Sequence, residues 1–136
     1  MAETFLLQLV SPERLLVDEQ VTEAQIPARD GFIGVLPGHA PLLSELKPGG
    51  VLTYTAGGQS KSLAVYGGFV EVLGETVRVL ADSAEFAGEI DKAKAQQRLQ
   101  DATKQMESPG ANGADPQVAL AEVARAQAAV EASQKS

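Results

Sequence analysis

The chain has no cysteine, no tryptophan and a single histidine, and its 136 residues include only four phenylalanines and two tyrosines. Without cysteine there can be no disulfide, no thiolate metal site and no cysteine nucleophile. One imidazole per chain rules out a zinc site built from two or three histidines, and no motif marks partners for a Ser-His-Asp arrangement around His39. So few aromatic rings leave no platform for stacking the bases of a single strand. A formal net charge of -7 repels polyanions. Nucleic acid is therefore excluded as a partner, and an anionic lipid surface is disfavoured for the same reason. No stretch approaches the run of about eighteen apolar residues that a spanning helix requires, so direct membrane insertion is not expected. Residues 1–7 lack a basic region and carry too short an apolar run for a signal peptide.

What the chain does have is aliphatic. With 44% hydrophobic and 4% aromatic residues, its core must be built from Leu, Val, Ile and Ala. From residue 4 to about residue 81, short runs of these residues are broken by glycine or proline, which is the all-β pattern of a sandwich or barrel. The spacing predicts a β-sandwich of about eight to ten short, mostly antiparallel strands, with the first runs at 5–10, 15–17 and 21–26. Gly57-Gly58 reads as a two-residue primed turn, which sets Leu52 opposite Leu63 and Tyr54 opposite Lys61. Gly74-Glu75 reads the same way, setting Val70 against Val79, Glu71 against Arg78 and Val72 against Val77.

After Asp82-Ser83 the period changes from two to that of a helix. Ile90, Ala93, Leu99, Ala102 and Met106 fall on one stripe, and Asp91 is placed to cap the helix start. Residues 107–114 are turn-formers, and Asp115-Pro116 then restarts a helix with aspartate as cap. Leu120, Val123, Ala126 and Val130 are expected to line the apolar side of this second helix. The chain therefore divides into a β-sandwich domain, 1–84, and a C-terminal α-helical hairpin, 85–136. The second helix is mostly alanine, so its greasy face is thin, and a docked and a detached hairpin are equally compatible with it.

Residues 31–43 pack Gly31, Gly34, Gly38, Pro37, Pro41 and His39 into thirteen positions, steering the backbone at several points. The stretch is expected to be a shaped surface loop between strands. His39 there serves equally well as a structural imidazole bonding nearby backbone or as a protein contact. Gly31-x-x-Gly34 lacks the full glycine spacing and the following helix of a dinucleotide fingerprint, and no phosphate loop of the Gly-x-x-x-x-Gly-Lys-Ser/Thr type is present.

The run Gly31-x-x-Gly34-Val35-x-Pro37-Gly38-His39-Ala40-Pro41-Leu42-Leu43, followed by Leu46, Pro48 and Gly49, resembles the epsilon subunits of rotary F-type proton-translocating ATP synthases. The likeness extends through Ser11-Pro12, Gly67-Gly68-Phe69-Val70-Glu71-Val72, Val79-Leu80-Ala81-Asp82 and Ile90-Asp91-Lys92-Ala93-Lys94-Ala95. It implies a non-catalytic subunit, with no catalytic or metal residues and no required cofactor. Such a subunit links the gamma shaft to the ring of proton-carrying membrane subunits and inhibits ATP hydrolysis through a mobile helical arm. The implied position is peripheral, on the cytoplasmic face of the bacterial inner membrane.

Carried over residue by residue, the resemblance implies ring contacts at Arg29, Asp30, Gly31, Phe32 and His39, with Phe32 standing where some relatives have an acidic residue. It implies ATP as a regulatory ligand at Asp91, Lys94, Arg98 and Arg125, with Lys94 lacking the planar fork of an arginine. It also implies that Lys92, Lys94, Arg98, Lys104 and Arg125 meet acidic surfaces of the catalytic alpha and beta subunits. The alternative from another class is a free-standing ligand-binding β-sandwich with a helical dimerisation tail.

Overall fold

The computed structural model describes residues 3–107 and 116–135. Ten strands form two five-stranded sheets, and two helices follow. The strands are β1 (Phe5–Val10), β2 (Leu15–Val21), β3 (Glu23–Ala28), β4 (Gly31–Val35), β5 (Leu42–Glu45), β6 (Gly50–Ala56), β7 (Gln59–Val65), β8 (Gly68–Val72), β9 (Thr76–Ala81) and β10 (Ala84–Phe86). One sheet has the order β2-β1-β9-β8-β5 and the other β10-β7-β6-β3-β4. All pairings are antiparallel except β1 with β9. A single 3-10 turn at Ala87–Glu89 leads into α1 (Lys92–Glu107), and α2 is Pro116–Ser133.

Both hairpin registers follow from their turns. Gly57 and Gly58 have φ of 57° and 78°, as a type I′ turn requires, and Leu52 faces Leu63 while Tyr54 faces Lys61. Across β8 and β9, Val70 faces Val79, Glu71 faces Arg78 and Val72 faces Val77. Because strand side chains alternate, these registers send Leu52, Leu63, Val70, Val72, Val77 and Val79 inward together. They join Phe5, Leu7, Leu9, Val17, Val21 and Ile26 in one buried aliphatic core.

Three expectations are corrected. Residues 31–35, expected as loop, form strand β4, which pairs with β3 on the open edge of its sheet. An edge position tolerates Gly34, and Pro37 falls beyond the strand end, so the punctuation did not forbid a strand. The loop proper is confined to the link between β4 and β5, which carries the chain from one sheet to the other. The second run is longer than expected and the third starts two residues later, because the polar residues Asp18, Glu19 and Gln20 lie within β2 rather than after it.

The helices differ most. Asp91 caps α1, its Oδ1 accepting the Lys94 N–H at 3.1 Å, but the side turned inward carries Ala95 and Ala102, while Ala93 is exposed. On α2 the buried residues are Ala119, Ala126, Ala128, Ala129, Ala132 and Ser133, whereas Leu120 is 56% and Val118 62% exposed. Of the expected stripe Ala126 is buried and Val130 partly so, while alanines supply most of the remaining inward face in place of Leu120. The expected break at 108–114 and the expected cap Asp115 lie outside the described residues.

The hairpin covers the outer face of the β10-β7-β6-β3-β4 sheet. Val51, Ala64 and Tyr66 meet Ala87, Ala95, Ala128, Ala129 and Ala132 there, with Ile90 and Val130 partly buried beside them. A buried methyl contributes only about 0.8 kcal/mol, so this second cluster holds far less than the sandwich core. Replacing Leu63, fully buried opposite Leu52, by alanine should lower unfolding free energy by about 2–5 kcal/mol in urea titrations. The matching change at Leu43, which is 69% exposed, should stay within about 0.5 kcal/mol.

Candidate functional site

The residues singled out from the sequence fall on two separate regions, and the structure adds a third. The first is the rim where the two sheets are laced together. Arg29 and Asp30 form the turn between β3 and β4. The Arg29 N–H donates to the Glu45 carbonyl at 2.9 Å, and its Nη1 donates to Glu45 Oε2 at 2.7 Å, tying the turn to β5 of the other sheet. Lys47 N–H donates to the Pro27 carbonyl at 3.0 Å close by. Phe32 stands out from β4 at 59% exposure, with Lys47 Nζ 5.4 Å from its ring centroid.

Arg29, Asp30, Gly31 and Phe32 are thus brought together, and His39 is not. Strand β4 rises about 3.3 Å per residue, which puts His39, beyond Val35, at the opposite end of the strand. Its Nδ1 lies 2.7 Å from the Ala40 carbonyl. A carbonyl only accepts, so Nδ1 carries the proton.

The second region is the junction of sandwich and hairpin. A cleft of about 310 Å³ is lined by Asp91, Lys94 and Arg98 together with Glu85 and Glu89. An adjoining cleft of about 440 Å³ takes in Arg98, Arg125, Arg14, Tyr66 and Glu13. Arg98 is thus shared by the two clefts, with Asp91 and Lys94 in one and Arg125 in the other, and the two arginines are engaged by Glu122. Arg98 Nε donates to Glu122 Oε1 at 2.7 Å, and Arg125 Nη1 sits 3.8 Å from Glu122 Oε2. The Glu122 bond, ahead of the opposing cost of burial, holds Arg98 more firmly protonated than usual.

Arg98 also lies over the Tyr66 ring, 5.7 Å from its centroid. The Tyr66 hydroxyl donates to Glu85 Oε2 at 2.5 Å. Burial first, and then this bond to a carboxylate, push the Tyr66 hydroxyl well above its ordinary pKa. On the far side of the cleft Arg14 grips Glu89 with two bonds, of 3.1 and 2.6 Å, linking chain positions 75 residues apart. Glu89 also accepts the Phe86 N–H at 2.9 Å. The Arg14 bond and then the Phe86 bond lower the Glu89 pKa. Lys92 and Lys104, by contrast, are exposed away from these pairs, so the five basic arm residues do not make one patch.

The third region was not singled out from the sequence. On the outer face of the β2-β1-β9-β8-β5 sheet, Leu15, Val10, Leu80 and Phe69 stand opposite one another across four neighbouring strands. Leu15, Leu80 and Phe69 are 56%, 40% and 49% exposed, and Leu43 and Leu73 add to the uncovered apolar surface. Beside this row runs a polar one, in which Arg78 Nε donates to Gln8 Oε1 and Gln8 Nε2 to Asp18 Oδ1, both at 3.4 Å. The signal was present in strands with apolar residues at both alternating positions, such as Phe69-Val70 and Val79-Leu80. Only the pairing of β1 with β9, distant in sequence, lines the residues up.

The ATP synthase delta/epsilon chain beta-sandwich domain matches residues 4–87. The chain is 52% identical over 128 residues to the ATP synthase epsilon chain of Solibacter usitatus, covering 94% of each. It is 43% identical over 110 residues to that of Koribacter versatilis, covering 81% of this chain and 77% of the relative. Among solved structures it resembles a chain in the Euglena gracilis mitochondrial ATP synthase, OSCP/F1/c-ring in rotational state 1. There the TM-score is 0.82 at 25% identity, over 96% of this chain and 81% of the other. A chain of the Tetrahymena thermophila mitochondrial ATP synthase central stalk and c-ring structure shares the fold, with TM-score 0.58 at 13% identity over 99% of this chain and 96% of that one.

The junction is expected to be acid-sensitive through Glu89. Its pKa is lowered by folding, so the pairing stabilises fully above the ordinary value of 4.5 and is lost as pH falls through the folded value. Glu89→Gln should therefore be less stable than the parent chain at about pH 7. That difference should close below pH 4.5, as read from urea midpoints across the pH range.

Proposed function

The chain belongs to the ATP synthase epsilon chain family, and from that premise we propose that it is a non-catalytic coupling and regulatory subunit of the rotary enzyme. The sandwich holds the gamma shaft against the ring of proton-carrying membrane subunits, and the hairpin is an arm that restrains ATP hydrolysis. The observation that carries this reading is the contrast between the two outer sheet faces. One is covered by the chain's own helices, while the other leaves Leu15, Leu80 and Phe69 uncovered in a row. An apolar row on a rigid sheet is a surface for another protein to cover. The gamma shaft is assigned to that face.

The rim residues Arg29, Asp30, Gly31 and Phe32 are assigned to the polar loops of the ring. With Phe32 at this position, the contact is apolar and cation-supported through Lys47 rather than acidic. His39, which the resemblance also gives to the ring, stands at the other end of β4 and is assigned to a ring contact separate from the other four. The whole subunit is peripheral, on the cytoplasmic face of the bacterial inner membrane. Among the described residues no helix is long and apolar enough to cross a membrane.

The hairpin rests on a small alanine interface, so detaching it costs little compared with unfolding the sandwich. Detached, it brings Lys92, Lys94, Arg98, Lys104 and Arg125 within reach of acidic surfaces on the alpha and beta subunits. The two adjoining clefts that share Arg98, with Asp91 and Lys94 in one and Arg125 in the other, support ATP as a regulatory ligand of the docked state. Its phosphates must displace Glu122 from the arginines, and Lys94 supplies a point charge without a fork.

Two measurements test these assignments. Phe69→Asp or Leu80→Asp should weaken capture of the gamma shaft by about tenfold or more, and unchanged capture would remove the shaft from that face. A chain ending at Ile90 keeps β10 and the Arg14–Glu89 pair while removing both helices. Complexes assembled with it should hydrolyse ATP several-fold faster than complexes with the full chain, and an unchanged rate would reject the inhibitory arm.

A further inference from the structure

We infer that Gly49 is the seat on which the docked hairpin depends, so that a single methyl group at this position decides whether the arm can lie on the sandwich. Gly49 precedes β6 and does not adopt the left-handed conformation that explains most glycines of this chain. The reason for a glycine must therefore lie in its surroundings. A Cβ built there would come within 2.4 Å of the Ala124 carbonyl oxygen, 2.6 Å of its carbon and 2.6 Å of the Arg125 Cα. All three are backbone atoms in the middle of α2, and a helical backbone cannot rotate out of the way as a side chain can.

The other described glycines with ordinary φ answer to the sandwich or to nothing. A Cβ at Gly50 would strike the Pro27 side chain, one at Gly34 would meet Gln25, and one at Gly88 would meet open space. Gly49 alone among them is required by the hairpin. The alanines of α2 explain how the helix can approach, and Gly49 explains how close it comes. The three nearest atoms to the missing Cβ all belong to α2, so these closest contacts exist only in the docked arrangement.

The inference rests on the proposed arm only for its consequence in the enzyme; the docking itself is read on the isolated full-length chain. In Gly49→Ala, amide exchange protection should fall at least about tenfold across both helices while β1, β8 and β9 keep theirs. Gly88→Ala, made in the same background, should leave both unchanged. Hairpin protection equal to that of the parent chain would overturn the inference, and so would loss of protection in the strands, because the glycine would then serve the sandwich. If the hairpin is released as expected but hydrolysis in the assembled complex does not change, the seat stands and the inhibitory arm falls.

Discussion

Leu52 against Leu63 on one sheet and Val70 and Val72 against Val79 and Val77 on the other meet between the sheets, fully or almost fully buried. Everything else in the molecule is mounted on that layer. With few aromatic side chains to fill space, the layer consists of branched aliphatics whose rotamers are restricted in strands, and so it is rigid. Rigidity at the centre is what allows the edges to be irregular. The turn at Arg29 and Asp30 is held by bonds to Glu45 from the opposite sheet, and Phe32 is presented on an edge strand rather than on a loose loop.

Because both inner faces are spent on the core, the differences that matter lie on the outer faces. One face carries Val51, Ala64 and Tyr66 under a lid of alanines. The other carries an apolar row that no described residue covers. The first is suited to a partner that comes and goes, since each contact contributes little and the geometry depends on a close approach at Gly49. The second is suited to a lasting interface, with larger side chains and a neighbouring polar ladder to set orientation.

The charged junction between them has a further consequence. Glu122 engages Arg98 and Arg125 within the hairpin, while Arg98 stacks on Tyr66 of the sandwich and Tyr66 donates to Glu85. The helices are therefore joined to the sandwich through a shared arginine, beside the Arg14–Glu89 pair that fixes the turn leading into them. An anion that competes with Glu122 acts on this same residue, which connects ligand chemistry to docking in physical terms.

Sequence alone determined the parts of this protein that depend on neighbours in the chain. Glycine-bearing two-residue turns dictate register, and register dictates which of two alternating faces is buried, so both hairpins and their inward residues were legible from a few positions. The change of period after Ser83 and the cap at Asp91 were legible for the same local reason. Tertiary structure alone decided what depends on distant approach. It made residues 31–35 a strand, because β3 offers them an open edge. It turned alanines rather than Leu120 toward the sheet, because Gly49 lets the helix backbone come too near for larger side chains. It also joined Arg14 to Glu89 and β1 to β9, pairings across long loops that no local pattern encodes, since their free energy is realised only after the intervening chain has folded.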